Sequence, residues 1–122
     1  MSYEKFLQHF EEDGLRLEKQ KILGLLEREG WNQNIKDLVT KWTIQMEIRS
    51  LISSREMIRF NFERGELYEA LGEIDLMFEC LDQARYQAEQ EMTEKVTPGN
   101  WYELYEIIML HIDEMEKKYP AS

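Results

Sequence analysis

The two histidines of this chain each precede a glutamate by three positions. His9 and Glu12 stand in the stretch HFEE, and His111 and Glu114 stand in HIDE. Residues three apart lie on one face of a helix, and helical di-metal proteins pair the same residue types in the reverse order, Glu-x-x-His. The pattern therefore raises the hypothesis of a metal-binding helical bundle.

The positions of both histidines on their helices argue against that metal site. His9 flanks the apolar stripe formed by Phe6 and Phe10. His111 lies at the margin of an apolar face, beside Ile112. A metal site in a bundle needs ligands that point inward, and a chain with 25 acidic residues places a carboxylate near most histidines by chance. We therefore predict surface or boundary histidines, and no metal or other cofactor.

Other catalytic patterns are absent from the sequence. It contains no G-x-S-x-G stretch, no Gly-rich phosphate loop and no recognisable Cys/His pair. Its one cysteine, Cys80, stands in the apolar stretch LMFECL, next to Glu79 and near Asp82, whose negative charges oppose a thiolate. We predict a core cysteine and no enzymatic activity.

The excess negative charge is confined to the second half of the chain. Residues 1–62 carry ten acidic and ten basic side chains, whereas residues 63–122 carry fifteen acidic and five basic ones, a net charge of −10. Such a charge repels nucleic-acid phosphates and anionic membranes. No apolar run approaches the ~20 residues that cross a bilayer. We expect a cytoplasmic protein without direct nucleic-acid or membrane binding.

Apolar residues recur at helical spacing along the whole chain, and no stretch alternates as a strand does. The sequence therefore predicts an all-α fold, a compact bundle of four to five helices in a single domain, residues 1–122. Gly65 is predicted to end a helix. Whether residues 34–64 form one helix or two stays open, because Ser53 and Glu56 fit a capping box that would begin a second helix. Thr97-Pro98-Gly99-Asn100 has the composition of a turn.

Residues 66–94 have the spacing of one long amphipathic helix. Its apolar residues follow one another in alternating steps of four and three, from Leu67 to Met92. Arg85 interrupts this seam, where its aliphatic stem can pack while the guanidinium reaches water or a carboxylate of a neighbouring helix. The apolar face is wider than two neighbouring helices in so small a domain would cover, so we expect a homodimer.

These properties favour a non-enzymatic protein-interaction module, such as a small acidic regulator, adaptor or inhibitor. A partner with a basic surface would be steered by the acidic face of the long helix. Trp31, in the stretch GWNQN between helices, would anchor an interface if it is exposed, although a tryptophan in a loop commonly folds back onto the core. The residues predicted to bind the partner are Glu66, Glu69, Glu73, Asp75, Glu79, Asp82, Arg85 and Trp31.

Two other functions remain as alternatives. A nucleic-acid-mimicking inhibitor would display rows of carboxylates that imitate phosphates and would occupy the groove of a DNA- or RNA-binding protein. The metal-binding bundle that uses His9 with Glu12 and His111 with Glu114 ranks third.

Overall fold

A computed structural model describes residues 2–94 and 99–120 of the chain. These residues form six helices and no strand, which confirms the predicted all-α bundle with more helices than the four to five expected. The helices are α1 (Ser2–Leu7), α2 (Gly14–Glu29), α3 (Gln33–Ser50), α4 (Ser54–Ala70), α5 (Ile74–Glu94) and α6 (Gly99–Lys118). No helix of the described ranges has the length and apolar character that a membrane span requires.

Helix α4 lies at the centre of the bundle. It packs against α5, α3 and α2, while α6 packs against α5 and α1. Helices α4 and α5 are antiparallel, since Asn61 contacts Gln87 and, further along α4, Gly65 faces Leu81. A Cβ atom on Gly65 would lie 3.3 Å from a methyl carbon of Leu81, so this glycine permits the close approach of the two helices.

Two apolar clusters form the core, and α4 contributes to both. One cluster joins α1, α4, α5 and α6, and the other joins α2, α3 and α4. The first contains Phe6, Ile58, Phe62, Met77, Leu81, Ala84, Ala88, Leu104, Ile108, Ile112 and Met115. The second contains Ile22, Ile35, Trp42, Met46, Phe60 and Leu67.

The predicted long helix over residues 66–94 is instead two helices, α4 and α5, and that part of the prediction is wrong. Gly72 adopts a φ of 78°, in the left-handed region that favours glycine. The amide of Gly72 donates to the carbonyl of Glu69 at 3.1 Å, and the amide of Glu73 donates to that of Tyr68 at 2.9 Å. These two bonds form a Schellman motif, which ends a helix by satisfying its last carbonyls.

The break between α3 and α4 answers the question left open for residues 34–64. The chain forms two helices there, and the Ser53 hydroxyl accepts a hydrogen bond from the Glu56 amide at 3.2 Å, as the capping box requires. The predicted helix end at Gly65 is wrong, because α4 continues through this residue to Ala70. Part of the predicted turn, residues 97–98, lies outside the described residues, and α6 begins at Gly99.

Candidate functional site

The turn at Gly72 divides the predicted binding residues between two helices. Glu66 and Glu69 lie in the last turns of α4. The carboxylates after the turn lie in the connection or in the first half of α5: Glu73, Asp75, Glu79 and Asp82.

Glu66 is bound to a side chain of the same protein rather than free on the surface. Its carboxylate accepts a hydrogen bond from the buried ammonium of Lys19 at 3.0 Å. Burial and the nearby carboxylate of Glu69 raise the pKa of Glu66 to about 8. This position belongs to the interior polar contacts of the bundle.

Glu69 connects α4 to the end of α6. Its carboxylate accepts hydrogen bonds from the Lys118 ammonium and the Tyr119 hydroxyl, each at 2.9 Å. The hydrogen bond to Glu69 raises the pKa of Lys118, and partial burial together with Glu69 raises that of Tyr119. Like Glu66, Glu69 already has partners within the chain.

Three carboxylates remain exposed and unpaired. Glu73, Asp75 and Glu79 form no ion pair with any side chain of the described ranges. Asp82 is exposed as well, and its nearest cation is Arg85 of the same helix, at 3.7 Å. Unpaired surface carboxylates keep their full charge for an approaching partner.

An apolar groove lies between the α2–α3 connection and the turn at Gly72; we call it the Trp31 groove. Its volume is about 670 Å³, and apolar side chains form most of its lining. Trp31 is 54% exposed and lines the groove, as does Glu73. Its apolar walls are Leu26, Trp31, Tyr68, Leu71 and Leu76.

A second groove follows directly along α4 and α5; we call it the Arg64 groove. Its volume is about 690 Å³, and it shares Tyr68 and Leu76 with the Trp31 groove. Arg64, Glu79 and Asp82 also line it, so it is more polar than its neighbour. The two grooves adjoin at Tyr68 and Leu76, and we call the surface that they form together the strip. The predicted residues Trp31, Glu73, Glu79 and Asp82 line it.

Asp75 and Arg85 line neither of these two grooves. Asp75 lines a groove between α5 and α6 with Phe78 and Ile112, and Asp82 lines that groove as well. Arg85 is partly exposed and pairs with Glu89 at 3.0 Å on its own helix. Both carboxylates near Arg85, Asp82 and Glu89, belong to its own helix, and not to a neighbouring helix as the sequence predicts for an ion pair of this residue.

A buried ionic network joins α1, α2 and α4, and no sequence pattern had singled it out; we call it the Asp13–Lys19 network. Arg59 donates to both oxygens of Asp13 at 2.8 Å each, and its Nε donates to Glu63 at 2.5 Å. Lys19 donates to Glu63 at 2.8 Å and to the hydroxyl of Tyr3. Lys19 and Glu63 are fully buried. Breaking such a pair leaves a buried charge uncompensated, which costs about 3–5 kcal/mol.

The network shifts the protonation equilibria of its members in directions that follow from their contacts. Hydrogen bonds from Arg59 lower the pKa of Asp13 to about 2. Burial lowers the pKa of Lys19, although the neighbouring carboxylate of Glu63 counteracts part of this shift. Burial by itself would lower the pKa of Arg59, but its contacts with Asp13 and Glu63 outweigh burial and raise this pKa.

Part of the Asp13–Lys19 network borders a groove: Asp13 and Arg59 line a cavity of about 270 Å³ together with His9, Arg55 and Glu56. Lys19, Glu63 and Glu66 line none of the grooves described above. The contacts of the network link the N-terminal segment and α2 to α4, so we assign it a structural role.

His111 is buried, which corrects the prediction of a surface or boundary position for it. Its Nδ1 lies 2.9 Å from the hydroxyl of Ser2, which in turn donates to Glu114 at 2.6 Å. The ring packs 4.8 Å from that of Phe62, and burial lowers the pKa of His111. Because α1 begins at Ser2 and lies against α6, a residue distant in sequence covers this face of α6.

The two histidines do not meet in a common site. His9 lies 3.7 Å from Glu103, whereas His111 contacts Ser2 and Glu114. Within residues 2–94 and 99–120, no group of three or more His, Cys, Asp or Glu side chains is arranged to hold a metal ion.

Comparison with protein-family models, with curated proteins and with solved structures found no match to this chain in any of the three. Its function must therefore be argued from the geometry of its own surface.

Proposed function

We propose that this protein is a non-enzymatic protein-interaction module that binds a basic, amphipathic segment of a partner protein along the Trp31 and Arg64 grooves. The observation that carries the proposal is the placement of an exposed tryptophan and unpaired carboxylates along two adjoining grooves. Neither half of that arrangement would suffice alone, because exposed acids are common and single exposed aromatic residues are normal.

The apolar part of the strip supplies affinity. Trp31 exposes more than half of its side chain beside Tyr68 and Leu71, and covering this surface would remove apolar area from water. Large aromatic side chains carry a disproportionate share of binding energy at protein interfaces. A partner would therefore insert one or more apolar side chains against Trp31.

The charged part of the strip supplies selectivity for a basic partner. Glu73 lines the Trp31 groove, and Glu79 and Asp82 line the Arg64 groove. Carboxylates on both grooves attract Lys and Arg side chains, raise the rate of association and disfavour acidic partners. Arg64, a cation among these acids, would pair with a polar or acidic group of the same segment.

Affinity purification from the native cells with paired variants tests this function. The double change Glu73→Lys/Glu79→Lys reverses charge on the strip, and Trp31→Ala removes the aromatic anchor. The matched control, Glu4→Lys/Glu18→Lys, reverses two exposed acids on α1 and α2. We expect a partner that co-purifies with the wild type and the control, and whose recovery falls about tenfold or more with either strip variant.

The set of variants that lose the partner decides whether the proposed binding site is correct. A partner retained by every variant, or lost equally with the control, would contradict binding at the strip. Far-UV circular dichroism of each variant confirms that a lost partner does not reflect a lost fold.

We do not favour the nucleic-acid-mimicking alternative. It relied on a row of carboxylates at phosphate-like spacing along one continuous surface. Glu66 and Glu69 would belong to such a row, but they form ion pairs with Lys19 and Lys118 of the same chain. We therefore favour a partner that uses the apolar groove as well as the charge.

A further inference from the structure

The guanidinium of Arg64 lacks a carboxylate partner. It forms no ion pair with any acidic side chain in the part of the chain that the structure describes, although Glu79 and Asp82 line the same groove. Its Nε is buried and has no hydrogen-bond partner among these residues. Arg64 also interacts with the thiol of Cys80, which is a weak hydrogen-bond acceptor. Buried donors without an acceptor are rare in folded proteins, so this one calls for an explanation.

Neighbouring side chains hold the guanidinium in one orientation. Its central carbon lies 4.6 Å from the centroid of the Phe60 ring, and its Nη2 donates to Oδ1 of Asn61 at 3.0 Å. Asn61 is 6% exposed and donates from Nδ2 to Oε1 of Gln87 at 3.2 Å, so its oxygen faces Arg64. Gln87 in turn donates to the sulfur of Met57. A group that is ordered before its ligand arrives loses less entropy on binding.

A carboxylate fits this site better than a phosphate does. A planar guanidinium can donate two parallel hydrogen bonds to a carboxylate, which fixes direction as well as strength. A phosphate group carries about −1.5 to −2 charges, so Glu79 and Asp82 would repel it more strongly than a singly charged carboxylate. The same two acids attract a cation beside the bound carboxylate. The groove therefore suits a carboxylate that is flanked by basic groups.

We propose that Arg64 binds an aspartate or glutamate side chain that stands among the basic residues of the partner's segment. This inference rests on the proposed function and adds one acidic residue of the partner as a determinant of specificity. A carboxylate elsewhere in the segment would face Glu73, Glu79 or Asp82 and weaken binding. Arg64 thus distinguishes the partner from segments that are merely basic and amphipathic.

Fluorescence anisotropy with labelled peptides tests the proposal on the full chain. The probes are C-terminally amidated amphipathic peptides of Lys and Leu in which one Glu replaces each Lys in turn, and matched peptides with Gln at the same position. We expect the wild type to bind one of the Glu peptides about tenfold more tightly than its Gln counterpart. Equal affinity for the two at every position, or tighter binding of Gln at every position, would overturn the proposal.

Removing the cation should change the two affinities in opposite directions. Without a carboxylate to pair with, Arg64 only repels a basic peptide, so Arg64→Gln should bind the Gln peptide about threefold more tightly than the wild type does. The same variant should bind the preferred Glu peptide about threefold to tenfold less tightly. A loss of fold would weaken both. A preference for Glu that persists in Arg64→Gln would contradict the role of Arg64.

Two further variants separate the geometry of the guanidinium from its charge. Arg64→Lys keeps the charge but loses the planar fork, so it should retain less than half of the preference for Glu. Lys21→Gln removes one positive charge at an exposed lysine of α2 that lines neither groove. This control should change the affinities for the Glu and Gln peptides alike. A control that abolishes the preference would assign it to net charge and not to Arg64.

The same measurements separate this inference from the function on which it rests. Binding that requires Trp31 and Glu73 but shows no Arg64-dependent preference for Glu would remove the inference and leave the proposed function standing. If no Lys/Leu peptide binds, or if Trp31→Ala binds them all as the wild type does, both are contradicted. A peptide without Glu that gains an Arg64-dependent preference from a free C-terminal carboxylate would overturn the assignment to a side chain.

Discussion

At the scale of single residues, Asp13 performs two functions with one carboxylate. It caps α2 by accepting a hydrogen bond from the Arg16 amide at 2.9 Å, and it accepts two further bonds from Arg59. The cap needs only a side-chain oxygen, whereas the bidentate contact with Arg59 needs the negative charge. The two functions can therefore be separated by mutation.

Asp13→Asn should keep the cap and lose the charge. The pKa of Asp13 is about 2 in the folded chain, below the ordinary 3.8, so its contribution to stability is present above pH 3.8 and is lost as pH falls towards 2. We expect Asp13→Asn to lower the free energy of unfolding at pH 7 by about 1–2 kcal/mol, after allowance for solvent screening. Urea titrations at several pH values should show the difference from the wild type shrinking as pH falls to about 2.

Asp37→Asn, at an exposed aspartate of α3, is the control for this pH series. It should unfold as the wild type does throughout. A difference between wild type and Asp13→Asn that is the same at acidic and neutral pH would show that the charge of Asp13 does not stabilise the fold.

The sequence contains part of the information that defines the Asp13–Lys19 network. Lys19 is four positions after Leu15 and three before Ile22, so it stands in the middle of the apolar stripe of α2. Glu63 stands likewise between Phe60 and Leu67 on α4. A charge at such a position indicates a buried partner of opposite sign. Which residue supplies it depends on how α2 packs on α4, and helical periodicity does not specify that packing.

At the scale of elements, one glycine ends helix α4 and another allows α4 to approach α5. Which of the two a glycine does depends on its tertiary contacts. Gly72 turns the chain with a positive φ, whereas Gly65 lies inside α4 against Leu81. The apolar pattern continues across Gly72 because the end of α4 and the start of α5 contribute to adjoining parts of the core. Spacing alone therefore predicted one helix over residues 66–94, and it placed the helix end at the wrong glycine.

The same substitution at two glycines should change stability in opposite directions. Gly72→Ala forces a Cβ into the left-handed region and should lower the free energy of unfolding by about 1–2 kcal/mol. Gly24→Ala lies inside α2, with nothing within 4 Å of the added Cβ, and should raise it by up to about 1 kcal/mol. Denaturant melts of both variants at neutral pH measure the two effects. An unchanged or increased stability in Gly72→Ala would contradict the assignment of this turn as a glycine-dependent helix end.

At the scale of the whole molecule, charged side chains act on stability in two ways. Ion pairs stabilise the fold, whereas the excess of unpaired acidic residues destabilises it by mutual repulsion. The surplus of −10 lies in residues 63–122, and unpaired acids such as Glu73 and Glu79 repel their neighbours. The sequence predicted this imbalance. It did not predict that Glu66 and Glu69 are engaged inside the chain, because their partners Lys19 and Lys118 are more than forty positions away.

Added salt should therefore stabilise the folded chain. Raising NaCl from about 20 mM to about 200 mM shortens the screening length and weakens repulsion between exposed carboxylates, while buried pairs are screened less. We expect the thermal midpoint to rise by about 3 °C, equivalent to about 1 kcal/mol. Glu73→Gln/Glu79→Gln should show a smaller rise, since two of the repelling charges are gone. A midpoint that falls with salt would mean that exposed ion pairs dominate the stability.

The burial of Cys80 has a consequence for measuring motions of this bundle. The thiol is 3% exposed, and burial raises its pKa, so it reacts slowly with a maleimide or a disulfide reagent while α4 and α5 stay closed. Cys80 lines the Arg64 groove, so labelling requires a local opening of that groove that exposes the sulfur. The rate at which this single native thiol is modified thus reports how often the wall of the Arg64 groove opens, without any engineered probe.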